Sequence, residues 1–357
     1  MLMLNHESCV AQPPGAPQAE ARRFIADPLW LPHVYDPRQD ALTFAHLPRE
    51  AHRRAVFLDA RFVADAPKSP SLPISSLPMD EIKDAAGPLH FIFHTAFCCS
   101  TLLTRALDLP GVSMGLKEPS VLLAFAKLWA SARQRPGALG ALEVALDLLS
   151  RPISPGEAQI VKPSNATNHI IPHLLHLRAD AKALVMTSSL ETFLTAVVRR
   201  GADGRASMRQ VLAGFTDTIP LEPPLADDEV MLLTDLQAAA LVWLMQTSFL
   251  NSVVDRFGDR VRVLDSDTML ADPARTLTAL GGLFGLKQID WTAVAEGPVF
   301  REHAKNLGAP FDAAAYRRQR AEASVQHRAE IAPAWHWARN IAARFEAPFS
   351  LTETLLG

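Results

Sequence analysis

Residues 89–103 read LHFIFHTAFCCSTLL, and the reading of this stretch decides the fold. Leu89 to His94 is nearly all apolar, the pattern of a strand buried on both faces in a parallel sheet. Ser100 to Asp108 sets Leu102, Leu103, Ala106 and Leu107 at helical spacing. The knot of small residues between them makes a strand–turn–helix loop. Such a loop binds phosphate through inward-pointing N–H groups and the positive end of the helix, and Ser100 and Thr101 add hydroxyl donors. It lacks both the lysine and the glycines of an ordinary phosphate loop, which argues against ordinary ATP hydrolysis. Three readings of the loop stand. Ala96, Phe97, Cys98, Cys99, Ser100 and Thr101 form an anion site; or the two small cysteines simply pack under a helix; or Cys98 and Cys99 form a thiol site, their pKa lowered at a helix N-terminus.

Outward from the loop, further apolar strands are expected at Gln159–Val161, Ala183–Met186 and Val261–Leu264. Helices are expected between them at Ser120–Arg133, Leu139–Leu149, His173–Leu177, Leu190–Arg199 and Leu236–Phe257. Asp272 followed by Pro273 marks a helix start, with the acid as cap. Ala313 to Phe345 reads as helical and basic. Alternating strands and helices predict an α/β fold with a mainly parallel sheet. Ligands in such sheets sit at the carboxyl ends of the strands, here His94–Ser100, Lys162–Asn165, Thr187–Ser189 and Asp265–Asp267. Asp265 and Asp267 share a strand face, but no third ligand is evident, so a structural role is expected and no metal.

Residues 1–24 read as a frayed Pro/Ala tail and 25–84 as an N-terminal cap with a helix near Arg49–Phe57. The Pro/Ser-rich stretch APKSPSLPISSLP closes the cap as a boundary, and the main domain runs over 85–357. The 357 residues are 48% hydrophobic, ample for a large core. A net charge of −3 gives no global field toward nucleic acid or anionic lipid. The apolar run Leu232–Leu250 carries Asp235, Gln237 and Gln246, which argues for a buried helix and against a membrane span. Three cysteines, Cys9, Cys98 and Cys99, make no disulfide framework, and the chain reads as reduced and cytoplasmic.

Five segments occur in the order used by the sulfotransferase superfamily. HTAFCCSTLL is similar to its 5′-phosphosulfate loop. LKEPS (Leu116–Ser120) resembles the acidic segment after the first helix in many bacterial members, and IVKPSN (Ile160–Asn165) the strand-end lysine–proline segment. ALVMTSSLETFLTAVVRRG (Ala183–Gly201) is similar to the 3′-phosphate segment. VRVLDSDTMLADPARTLTALGGLFGL (Val261–Leu286) is the most specific match, and FREHAKN (Phe300–Asn306) a looser one. The resemblance covers roughly Leu89 to Leu286. It implies a P-loop-like sulfotransferase fold, and transfer of a sulfuryl group from 3′-phosphoadenosine-5′-phosphosulfate to a hydroxyl or amine on a small-molecule or glycan acceptor.

This chain departs from the family pattern where cations meet the donor. Phe97 stands at the loop's usual basic position, and Thr187 at the strand-end arginine. Thr195 replaces a serine eight residues on and keeps the hydroxyl. Arg199, on the same helical face as Thr195, is the expected substitute for the 3′-phosphate, together with Arg301, His303 and Lys305. Sulfuryl transfer asks the protein for in-line positioning, charge stabilisation and acceptor deprotonation. Lys162 is expected at the leaving bridging oxygen, with Glu118 as base and His94 as the second candidate. The alternatives are a non-catalytic nucleotide-fold binding or scaffolding protein, and a transferase using a different nucleotide donor.

Overall fold

The computed structural model describes residues 16–131 and 136–357. Its first strands, β1 (Trp30–Asp36), β2 (Ala41–His46) and β3 (Leu72–Pro73), form a small antiparallel sheet in the order β1-β2-β3. The main sheet holds β4 (Leu89–His94), β5 (Ser113–Lys117), β6 (Ala158–Lys162), β7 (Ala183–Thr187) and β8 (Val261–Asp265). Its order is β5-β6-β4-β7-β8, and every pairing is parallel. All six residues of β4 are buried, because helices cover both faces of a parallel sheet. From β4 the chain steps outward to β5, returns to β6 against β4, and then crosses to β7 on the other side. That reversal opens a crevice at the carboxyl ends of β4, β6 and β7.

Four of the five main strands lie where their apolar runs place them. β5, reading SMGLK, was not expected, since Gly115 breaks the apolar signal in a five-residue strand. The glycine has a packing reason: a Cβ there would lie 2.4 Å from the Thr104 carbonyl oxygen, so only glycine lets the helix Ser100–Ala106 approach the strand. The helix Gly201–Thr218 was also missed, its glycines and charges masking the period. Thr234 caps the long helix Asp235–Phe257 by accepting from the Gln237 amide, and fourteen of that helix's residues are buried. Among the described residues no helix is long and apolar enough to cross a membrane.

The N-terminal region differs most from expectation. Ala16–Ile25, all but its last residue assigned to the frayed tail, form a helix whose Ala21, Phe24 and Ile25 are buried; residues 1–15, Cys9 among them, lie outside the described residues. The helix expected at Arg49–Phe57 ends at Arg54. The Pro/Ser-rich stretch is packed: Phe44 donates its amide to Ser69 Oγ (2.9 Å), Ser69 returns its own to the Phe44 carbonyl (2.9 Å), and Leu72 and Leu77 are buried. These side chains share one hydrophobic core with Phe91 and Phe93 of β4. The segment therefore packs on the same core as the main sheet.

One buried cation links this segment to the sheet. Lys117, at the end of β5, is 1% exposed, and its Nζ donates to the carbonyls of His52 (2.6 Å) and Arg53 (3.3 Å). Burial outweighs the attraction of Asp108 and lowers its pKa from 10.5 to about 8. The unfolded chain then holds a proton that the folded chain releases, so stability rises with pH between those two values. Relative to Lys117→Met, the wild type is expected to gain about 3 kcal/mol from pH 8 to 10.5 and to run parallel below pH 8. Urea unfolding across that range checks it, and parallel curves throughout would show that Lys117 is not held at a lowered pKa.

Candidate active site

Helical residues begin at Ser100, and the turn before them is built from left-handed backbone: Ala96 (φ 76°), Phe97 (φ 54°) and Cys99 (φ 59°). Non-glycine residues hold such angles at a cost, and clusters of them mark binding loops. His94 at the end of β4 anchors the turn. Its Nδ1 accepts from the Ala96 amide (3.2 Å), which puts the ring proton on Nε2, where it is donated to the Pro163 carbonyl (3.1 Å). The Ser100 hydroxyl and amide turn toward the Cys98 thiol. Among the described residues, the amides of Phe97, Cys98, Cys99 and Thr101 have no protein acceptor. Buried amides are nearly always paired, so four free ones at a helix N-terminus form a polar cradle suited to an anion.

The cradle is one wall of a cavity of about 490 Å³, a size typical of small-molecule sites. Ala96 to Leu102 line it together with Glu118, Arg199, Arg200, His303, Lys305 and Tyr316. The residues around Met208 and Val211 give it an apolar side. The 300–311 segment is fastened beside the loop by an ion pair from Arg105 to Glu302, whose other oxygen accepts from the Gly308 amide (2.8 Å). Lys305 is open to the cavity, but the surrounding walls crowd its ammonium. Burial first, and Arg200 in addition, lower its pKa against the pull of Glu118. Arg199, Arg200 and Lys305 have no carboxylate partner within salt-bridge distance among the described residues.

Glu118 faces this cavity from the turn after β5. Its backbone is left-handed (φ 56°), and its amide donates to the Lys162 carbonyl (2.6 Å). Leu58 of the N-terminal segment clamps both flanks of that turn. The Leu58 amide donates to the Lys117 carbonyl (2.6 Å), and the Ser120 amide donates to the Leu58 carbonyl (3.3 Å). Glu118 Oε1 accepts from Lys162 Nζ at 2.6 Å, while Oε2 has no protein donor among the described residues. Lys162 is wholly buried and lies behind Glu118 without lining the cavity. Burial lowers its pKa, and Glu118 opposes that shift.

The geometry revises several expected roles. Lys162, expected at the leaving oxygen, has no surface on the cavity and instead holds the Glu118 carboxylate, while Lys305 lines the cavity. His94 is unsuited as a base: both ring nitrogens serve backbone groups, and burial, then the nearby Lys162, hold its pKa well below 6.5. Thr195 is wholly buried, its hydroxyl donating to the Glu191 carbonyl (2.7 Å), and it cannot meet a 3′-phosphate. Thr187 and Arg301 do not line the cavity. Burial raises the Cys98 thiol and pushes Cys99 up to about 12, which argues against the thiolate reading. Asp265 accepts from the amides of Asp267 and Thr268 as a helix cap, Asp267 pairs with Arg320, and no metal-binding cluster occurs among the described residues.

Three contributors escaped the sequence reading. Arg200 lays its guanidinium over the Phe97 ring, 4.3 Å from the centroid. Tyr316 takes Arg199 over its ring at 6.0 Å. Phe57 sits between the ammonium groups of Lys162 (5.7 Å) and Lys305 (5.3 Å). Each joins residues far apart in the chain, and no local pattern announces such contacts.

No family model matches the chain, and no curated protein matches it. Solved structures that resemble it include two sulfotransferases. The sulfotransferase domain from the curacin biosynthetic pathway aligns with a TM-score of 0.42 at 12% identity, over 75% of this chain and 99% of that one. The sulfotransferase STF9 from Mycobacterium avium aligns with a TM-score of 0.41 at 12% identity, over 68% of this chain and 78% of that one. The likeness is one of fold: an α/β protein with a five-stranded parallel sheet that resembles two sulfotransferases over most of its length.

Proposed function

We propose that this chain is a sulfotransferase, moving a sulfuryl group from 3′-phosphoadenosine-5′-phosphosulfate to a hydroxyl or amine acceptor. One observation carries the reading: a cradle of free loop amides and a carboxylate, Glu118, share one cavity. The 5′-phosphosulfate end of the donor fits the cradle, where the amides of 97–99 and 101 meet its anionic oxygens. The acceptor oxygen forms its bond to sulfur as the bond from sulfur to the bridging phosphate oxygen breaks, and the electron pair stays on the phosphate. Glu118 takes the acceptor proton. Lys305, which lines the same cavity, is the cation for the charge that grows on the bridging oxygen. Lys162 keeps the carboxylate in place.

The 3′ end of the donor fits less well at its expected residues, since Thr187 does not line the cavity and Thr195 is buried. Arg199, open to the cavity and free of carboxylates, is the cation in reach. The same observation favours a second reading, a donor without a 3′-phosphate. Thermal unfolding with adenosine 3′,5′-bisphosphate, AMP and ATP separates them. A ligand at a hundred times its Kd stabilises by about 2.7 kcal/mol, so the bisphosphate is expected to raise Tm most. Equal shifts with the bisphosphate and AMP would remove the 3′-phosphate site and leave the second reading. No shift with any of the three would remove both.

A further inference from the structure

We infer that the loop's anion site is completed by Arg200, presented on the face of Phe97, so that a loop without a cation of its own takes one from the start of the next helix. The inference rests on the loop being the anion site proposed above. It starts from Phe97, a bulky residue held at φ 54° in the middle of the cradle. Its ring packs against Phe193 at 5.3 Å, which fixes its orientation from one direction. Arg200 packs on the same ring with its guanidinium 4.3 Å from the centroid. A guanidinium lying over an aromatic face is attracted by the ring's electrons and restricted in motion, while its N–H donors point outward in its own plane.

Both residues line the cavity, and Arg200 has no carboxylate within salt-bridge distance among the described residues. Arg199, the adjacent residue, is directed instead to Tyr316. The junction between the helices ending at Val198 and starting at Gly201 thus sets one guanidinium over Phe97 of the loop and the other over Tyr316. A pre-oriented, unpaired guanidinium beside free amides suits two linked tetrahedral anionic groups, one held by the amides and the next by the fork of Arg200. A lysine would supply charge without the stack or the fork.

Calorimetric titration of the full chain with inorganic pyrophosphate, which carries two such groups, tests this at fixed ionic strength. Arg200→Ala is expected to weaken binding by about ten- to a hundred-fold, and Arg200→Lys by less. Phe97→Leu keeps an apolar contact for Phe193 but removes the ring face; it is expected to weaken binding too, and the Phe97→Leu/Arg200→Ala double variant to be no weaker than Arg200→Ala alone. Binding by Arg200→Ala within two-fold of wild type, or no pyrophosphate binding by wild type, would overturn the inference. Parallel titrations with adenosine 3′,5′-bisphosphate keep the two proposals apart. Pyrophosphate binding that depends on Arg200, with no bisphosphate binding, leaves the anion site standing and removes the donor proposal. Bisphosphate binding indifferent to Arg200 does the reverse.

Discussion

Glu118→Gln is expected to lower turnover by about 10²- to 10⁴-fold, the usual contribution of a general base, while nucleotide affinity changes little. The amide is nearly the same shape and cannot take a proton. Three features single out this carboxylate. The chain is bent into a left-handed turn to present it, with φ 56° at Glu118, and Leu58 holds both sides of the turn. One oxygen is fixed by Lys162 at 2.6 Å, and the other has no protein donor among the described residues. The side chain is 20% exposed, so it meets the cavity without being freely hydrated. The substitution also leaves the Lys162 ammonium buried against an uncharged partner. Removing one partner of a buried pair costs about 3–5 kcal/mol, so turnover must be measured well below the variant's unfolding temperature, with circular dichroism confirming the fold. A loss smaller than ten-fold in folded protein would remove Glu118 as the base.

Lys162→Met should be nearly as damaging by a different route. Lys162 is wholly buried, with Glu118 as its ion-pair partner and the His94 ring 3.3 Å away. Without the ammonium, Glu118 loses the contact that orients it, and turnover is expected to fall about a hundred-fold, near the loss of an oxyanion-hole donor. Pyrophosphate affinity should hold within about two- to three-fold, because Lys162 does not line the cavity. A matching collapse in pyrophosphate binding would mean that Lys162 reaches the ligand directly. The pH profile separates orientation from simple loss of packing. Burial lowers the Lys162 pKa beneath 10.5 in the folded protein, so wild-type turnover should decline on an alkaline limb that sets in below that value. Lys162→Met should lack that limb. The variant Glu118→Gln/Lys162→Met should be little worse than Glu118→Gln alone, since the two side chains act as a unit.

The parts of this protein that were legible share a physical basis. β4, β6 and β7 are buried on both faces, so each is a mostly apolar run ending in polar residues, as is the edge strand β8 apart from Arg262, and the ends of such runs are where a parallel sheet gathers its ligands. That reasoning reached the loop and Lys162 from local pattern; Glu118 and Lys305 entered through the family resemblance of LKEPS and FREHAKN. It missed β5, whose glycine serves a close helix–strand approach, and the N-terminal sheet, where Pro32 and short strands hide the alternation.

What the sequence by itself determined is the strand–loop–helix unit at 89–106 and the polar residues set at neighbouring strand ends, because main-chain geometry and burial are written into consecutive residues. Which of those residues meet was decided by tertiary packing. Thr195 and Arg199 lie on one helix face four apart, yet the hydroxyl turns into the core to bond Glu191 while the guanidinium stays outside. Lys162 and Glu118, forty-four residues apart, become an ion pair because β5 and β6 are neighbours, and the same packing places Lys162 behind the carboxylate and off the cavity. Phe97 reads as a lost cation in the chain and becomes a platform for Arg200 only when the helix junction folds over the loop. Residue type is a property of the chain, but the direction of a side chain and the partner it finds depend on elements separated by scores of residues, and only their packing fixes them.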